Sequence, residues 1–287
     1  MSSLSQIFAK GISMALRRWR LLLPLYLAGL LLGLAQAWPL LAAGGGALYS
    51  PVLGGLARGD VSPIDLVLAD PRAAGATAGG WVLAALLLGG LFSLAYNFFS
   101  GGILASYASD ADDTRAAGRS FWPACRRWFW SFAGLGLLLV VLAILALAVA
   151  GVLGAVLGAR AAAIAAALLL ALINTLGEYA RAIAVARGRR NPFALLGMAV
   201  GFFRRHAPGV LALALLGLLL HAALAAAYAT VARSLGGSAA LVLWQQIAVL
   251  GWLWIKLLRL AWAAGYVRSG ESDRAGMATS DASALAV

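Results

Sequence analysis

Acidic side chains are the scarcest feature of this chain, with ten Asp and Glu in 287 residues against 22 Lys and Arg. Charged residues of both signs make up 11% of the sequence, where a soluble domain carries about 25%. Stretches of more than about 20 residues hold no charge at all, and no water-exposed surface is built that way. A secreted or cytosolic enzyme is therefore excluded. Cysteine is almost absent too. Cys125 stands alone, so no intramolecular disulfide can form, and with His206 and His221 it cannot complete the usual ligand set of a structural zinc site. No metal and no cofactor is expected. Nor is there an HExxH, a G-x-S-x-G or a Walker A run, and the expectation is a non-enzymatic protein with no catalytic residue.

What is present is apolar sequence, 63% of the chain. About 20 apolar residues cross a hydrocarbon core of roughly 30 Å, and on that measure six spans are expected, near 21–43, 81–102, 132–157, 161–182, 209–232 and 239–262. The first has an alternative reading as a signal peptide, because Lys10, Arg17, Arg18 and Arg20 precede a leucine-rich run ending in Ala35-Gln36-Ala37. Against it, the basic region is long and apolar sequence continues past the cleavage pattern. All but two of the basic residues are Arg, and Ala and Leu are in excess. That usage is associated with GC-rich bacterial genomes, which points to a bacterial inner membrane.

The basic residues also set an orientation, since Lys and Arg are retained in cytoplasmic loops. One side would carry Lys10, Arg17, Arg18, Arg20, Arg115, Arg119, Arg126, Arg127, Arg187, Arg189, Arg190, Arg204, Arg205, Arg268 and Arg274; the other only Arg58, Arg72, Arg160 and Arg233. Both termini are then cytoplasmic. The net charge of +12 is a topology signal first, and it also favours anionic phospholipid headgroups as partners, at about 1 kcal/mol per basic residue. Nucleic acid is not an expected partner, because the arginines are divided among membrane-hugging segments and no separate basic domain exists.

Similar segments precede the odd-numbered spans: Ala15-Leu16-Arg17-Arg18-Trp19, Ala124-Cys125-Arg126-Arg127-Trp128 and Phe202-Phe203-Arg204-Arg205-His206. Apolar residues at helical spacing around the first, and Asn191-Pro192 capping the third, predict amphipathic elbow helices at the inner surface. The interfacial basic anchors are Arg17, Arg18, Arg126, Arg127, Arg204 and Arg205. The plainer reading is an ordinary basic flank with Trp at headgroup level. The expected architecture is an all-α polytopic bundle of six transmembrane helices in three hairpin repeats, filling residues 1–268, with a disordered cytoplasmic tail at 269–287. Two spans per unit keep the repeats in one orientation, which disfavours an inverted-repeat transporter. The pairs Gly29/Gly33, Gly154/Gly158 and Gly197/Gly201 have the spacing of close helix contacts. In the outer loop, Ser50-Pro51 and Ser62-Pro63 predict two short helices.

Ionisable residues at membrane depth are costly, and they mark function or obligatory pairing. Asn174, Glu178 and Arg181 share one face of the fourth span; Lys256 and Arg259 lie a turn apart in the sixth; Asn97 is in the second, with Ser93 and Ser100 nearby. These six residues are expected to form one polar intramembrane cluster, with Glu178 against Lys256 or Arg259. The competing arrangement pairs Glu178 with Arg181 in its own helix while Lys256 and Arg259 snorkel to the headgroups.

Through Tyr96-Asn97-Phe98-Phe99-Ser100-Gly101-Gly102-Ile103-Leu104, Glu178-Tyr179-Ala180-Arg181, Asn191-Pro192-Phe193 and Phe203-Arg204-Arg205, the chain resembles a group of uncharacterised bacterial six-helix inner-membrane proteins. In layout it is also similar to the membrane-anchor domain of glycerophosphodiester phosphodiesterases. The resemblance implies a helical membrane region and no activity that can be assigned to residues; the 287 residues contain no such catalytic domain. The functional expectation is an accessory or scaffold protein engaging anionic lipid or a membrane-protein partner at the inner leaflet. The alternative is a permease or exporter subunit working with a cytoplasmic ATPase. An intramembrane lipid-modifying enzyme would have only Glu178 with His221 to draw on.

Overall fold

The computed structural model describes residues 4–31, 71–108, 114–235 and 238–284, with side chains described for 5–31, 89–108, 120–235 and 240–270. The regular structure of these residues is all helical: α1 (Leu4–Arg17), α2 (Trp19–Leu31, opened by a 3-10 turn), α3 (Pro71–Ala108), α4 (Thr114–Leu157), α5 (Ala159–Arg187), α6 (Pro192–Ser234) and α7 (Ser238–Ala284). Four helices are long and apolar enough to cross a membrane, at Ser120–Leu157, Ala159–Arg187, Pro192–Ser234 and Ala240–Gly270. Leucine, valine and isoleucine side chains such as Leu137, Ile144, Val152, Ile164 and Leu168 point outward from them. Water would reject that surface and lipid accepts it. The chain is a helical membrane protein.

The ends of these helices follow from local chemistry. Between α4 and α5 the chain turns at Gly158 alone (φ 91°), whose amide donates to Gly154 O at 2.9 Å. Only glycine takes that φ without strain, and the two helices pack against each other along the hairpin. At the far end of α5, Gly188 sits in the left-handed region (φ 67°, ψ 14°) as its C-cap. Asn191 Oδ1 then accepts from the amides of Phe193 (3.0 Å) and Ala194 (3.3 Å), and Pro192 opens α6. Proline suits that first position, where its missing N–H has no intrahelical partner to lose.

The three expected elbows differ. The first is a true break, with α1 ending at Arg17 and α2 starting at Trp19. The third is a kink inside α6, where His206 leaves helical geometry (φ −123°, ψ 24°) two residues before Pro208; proline removes one i→i−4 bond and crowds the carbonyl four residues back. At the second, no separate helix exists. Residues 124–128 lie within α4, which continues through Pro123, so a basic-aromatic segment is not enough to end a helix. The six spans are also only partly visible: α2 holds the described part of 21–43, and 81–102 falls within α3. The residues from 32 to 43 and both Ser-Pro sites of the outer loop lie outside the described residues. The last helix runs on to Ala284 through the stretch where composition predicts a disordered tail. An existing helix propagates at little cost once nucleated.

The fold comprises two compact units, one of residues 1–19, 97–217 and 256–287, the other of 20–96 and 218–255. In the first, Trp262 is fully buried; its indole stacks on Phe8 at 5.4 Å and donates to Phe8 O at 3.4 Å. Gly11 makes that docking possible, because a Cβ there would enter the indole. Gly101 of α3 lies against α4, where a Cβ would come within 2.9 Å of Trp128 Cβ. In the second unit, Tyr26 donates to Gln246 Oε1 at 2.9 Å, Phe92 tilts against Trp252, and Trp244 donates to Tyr228 O at 3.2 Å. The expected contact pair Gly197/Gly201 meets nothing within 4 Å. Four-residue spacing records a helical stripe, and which stripe faces a neighbour depends on how the helix is rotated.

Candidate functional site

All six polar candidates belong to the first unit. Glu178, 4% exposed, sits on the buried face of α5 with Thr175, Tyr179 and Arg181. Arg259 of α7 reaches it with two nitrogens, Nη2 at 2.9 Å and Nε at 3.1 Å, both to Oε2. The other carboxylate oxygen, Oε1, accepts from Asn174 Nδ2 at 3.3 Å, although Asn174 as a whole is exposed. Arg181, 5% exposed, turns to α3 instead and donates from Nη2 to Asn97 Oδ1 at 2.8 Å. Glu178 thus takes its close ionic contact from another helix. Lys256 is half-buried, and its ammonium, like Arg181 and Arg259, lies within electrostatic range of the Glu178 carboxylate. Ser100 is buried but bonds back to Asn97 O at 3.0 Å, and Ser93 is exposed.

Two glycines that sequence reading passed over make room for this network. A Cβ on Gly217 of α6 would come within 2.9 Å of Arg259 Cδ, so the arginine stem crosses that helix where it has no side chain. A Cβ on Gly136 of α4 would come within 2.7 Å of Asn97 Nδ2. Tyr179 was also passed over. It is 5% exposed, stacks on Phe202 at 5.6 Å and meets the edge of Tyr266 at 6.4 Å. Its hydroxyl has no hydrogen-bond partner among the described residues. Nothing in the sequence separates these glycines from the 34 in the chain; for Tyr179, adjacency to Glu178 was the available signal.

The anchor arginines divide. Arg17, Arg126, Arg127, Arg204 and Arg205 are exposed, with Arg127 beside the Trp128 ring at 5.5 Å and Arg190 joining it at 5.9 Å. Arg18 departs from the pattern: it is half-buried, 5.8 Å from the centre of the Tyr107 ring. Burial holds its guanidinium below the ordinary arginine value, with Arg268 adding to the drop and Tyr107 opposing it. Arg268 donates to Tyr107 O, at the C-terminal end of α3, where a cation complements the helix dipole. Of the histidines, His206 packs on Phe202 at 4.6 Å in the first unit, and His221 belongs to the second. There, His221, Tyr228, Gln245 and Trp252 line a groove of about 340 Å³ with apolar walls. Among the described residues, no three His, Cys, Asp or Glu side chains converge as a metal site would require.

Comparison with protein-family models, curated proteins and solved structures finds no match. The reading of function therefore rests on the chain's own chemistry. That chemistry is electrostatic. Among the described residues, one carboxylate stands among three cations in a largely apolar interior. Such a cluster can hold helices together and can attract an anion.

Proposed function

We propose that this chain is a six-span protein of a bacterial inner membrane, built as three hairpins with both termini in the cytoplasm. It acts without a catalytic step as an accessory or scaffold protein that engages anionic phospholipid, or a partner of like charge, at the inner leaflet. One observation carries this reading. Among the described side chains Glu178 is the only acid, while arginines stand exposed at 126, 127, 187, 189, 190, 204 and 205. Each basic residue near an anionic surface contributes about 1 kcal/mol, so the set favours phosphate-bearing headgroups over zwitterionic ones.

The test is native mass spectrometry of the full chain with phosphatidylglycerol and phosphatidylcholine, beside a variant with Arg126, Arg127, Arg204 and Arg205 all changed to Gln. The wild type should prefer phosphatidylglycerol, and the variant should lose that preference by at least about a hundredfold, as four contributions of this size predict. Equal retention of the two lipids by the wild type would overturn the proposal. Co-purification of a cytoplasmic ATPase from native membranes would replace it with the exporter-subunit reading.

A further inference from the structure

On α6, His221, Ala225 and Tyr228 recur at i, i+4 and i+7, and on α7, Gln245, Ala248 and Trp252 recur at i, i+3 and i+7, spacings that put each set on one face of its helix. In the second unit these two faces meet around the groove of about 340 Å³, at the lower end of the roughly 300–1,000 Å³ that small-molecule sites occupy. Ala225 and Ala248 stop at Cβ within it, and larger side chains stand at its ends. At one end His221 meets the edge of Trp252, with ring centroids 6.5 Å apart; at the other, Trp244 donates to Tyr228 O at 3.2 Å. His221 and Tyr228 are seven residues apart, about 10 Å along the helix.

The lining holds no Lys, Arg, Asp or Glu, and Arg233 is the only charged residue between Leu218 and Ile255. An anionic headgroup finds no counter-charge there, so the fitting occupant is neutral. The groove is also shorter than the hydrocarbon of one leaflet, about 15 Å or half of a 30 Å core. It suits a compact ring better than the run of an acyl chain, and imidazole, phenol and indole rings offer it flat walls. Two adjacent glutamines lie in the apolar stretch Ala240–Gly270. Gln246 accepts from Tyr26 at 2.9 Å, whereas Gln245 makes no hydrogen bond among the described residues. A carboxamide in hydrocarbon without a partner is costly, and a ligand oxygen in the groove removes that cost.

We propose that this groove binds a neutral lipophilic ring compound of the quinone class, taken up from the membrane, with its ring beside Ala225 and Ala248 and a carbonyl oxygen accepting from the Gln245 amide. The site is distinct from the basic surface that engages anionic lipid, and neither reading depends on the other.

The experiment titrates the full chain in detergent with decylubiquinone and, separately, with decylbenzene, which has a ring and a tail but no oxygens; native mass spectrometry and thermal shift are the readouts. The wild type should hold one decylubiquinone per chain and gain melting temperature as it saturates. Ala225→Phe, filling the groove from an exposed position, should abolish that complex. Gln245→Leu should weaken it about fivefold, the worth of one neutral hydrogen bond, without lowering the melting temperature of the ligand-free protein, because leucine is favourable in hydrocarbon. Ala223→Phe, exposed on α6 outside the lining, should bind as the wild type does. Absence of saturable decylubiquinone binding, or wild-type affinity in both Ala225→Phe and Gln245→Leu, would overturn the site. Decylbenzene binding as tightly as decylubiquinone would overturn the assignment of an oxygen-bearing ligand.

Discussion

Glu178 has two arginines within reach of a carboxylate, one three residues along its own helix and one on α7, and the structure gives it the second. Arg259 places two N–H groups on Oε2, while Arg181 is drawn to Asn97. Removing one partner of a buried pair leaves the other charge alone and costs about 3–5 kcal/mol; removing both avoids that penalty. Glu178→Gln should therefore lower the thermal stability of the purified protein by an amount in that range, and adding Arg259→Met should recover part of the loss. The recovery with Arg259→Met should exceed that with Lys256→Met. Strictly additive losses in thermal unfolding would show that the contact carries no coupling energy. The residues of this cluster were legible in the sequence because charge at membrane depth is rare. The choice among their partners was not, since a spacing of three residues permits the pair within one helix as readily as packing permits the pair between two.

At the scale of elements, close approach is decided by which glycines face a neighbour. Gly11 lies against the Trp262 indole and Gly197 against nothing within 4 Å, though both are interior to helices. Gly11→Leu should force α1 off α7, raising hydrogen exchange across residues 4–17 at least about tenfold while the buried stretch around Glu178 keeps its protection. Gly197→Ala should do the opposite of harm: alanine is favoured over glycine in a helix interior by about 0.8–1.0 kcal/mol, and its added methyl meets no obstacle. Unchanged exchange in α1, or destabilisation by Gly197→Ala, would show that the contact pattern is misassigned. The same scale explains the uneven elbows. Pro208 follows a stretch that bends at His206, and Pro123 lies in a helix that runs through it. A proline removes one hydrogen bond in either case, and the surrounding packing determines whether the helix yields.

For the whole molecule the testable matter is orientation. Gly158 and Gly188 bracket α5, a helix of 29 residues and therefore about 43 Å long at 1.5 Å per residue, long enough to put its two ends on opposite sides of a bilayer. Cysteine scanning in a Cys125→Ser background reads this directly. Cysteines at Gly59 and Ala159 should react with a membrane-impermeant thiol reagent in intact cells, and one at Gly188 should be protected until the cells are opened. The reverse pattern would invert the topology. Native Cys125 is fully buried, so the wild-type chain should label poorly in either state.

The sequence by itself determined that the chain belongs in a membrane, where four of its long apolar helices lie, where α6 begins, and which polar residues are out of place among the leucines. Each of these follows from short stretches of chain: transfer of apolar side chains into hydrocarbon, and the cap that Asn191 makes ahead of Pro192. Tertiary structure alone decided that Glu178 meets Arg259 and that Arg181 meets Asn97, that Gly217 and Gly136 make room for them, that Tyr179 is enclosed beside them, and that Arg18 is half-buried beside Tyr107. Those outcomes depend on the rotation and register of helices far apart in sequence, which many similar apolar surfaces permit equally well until packing selects one.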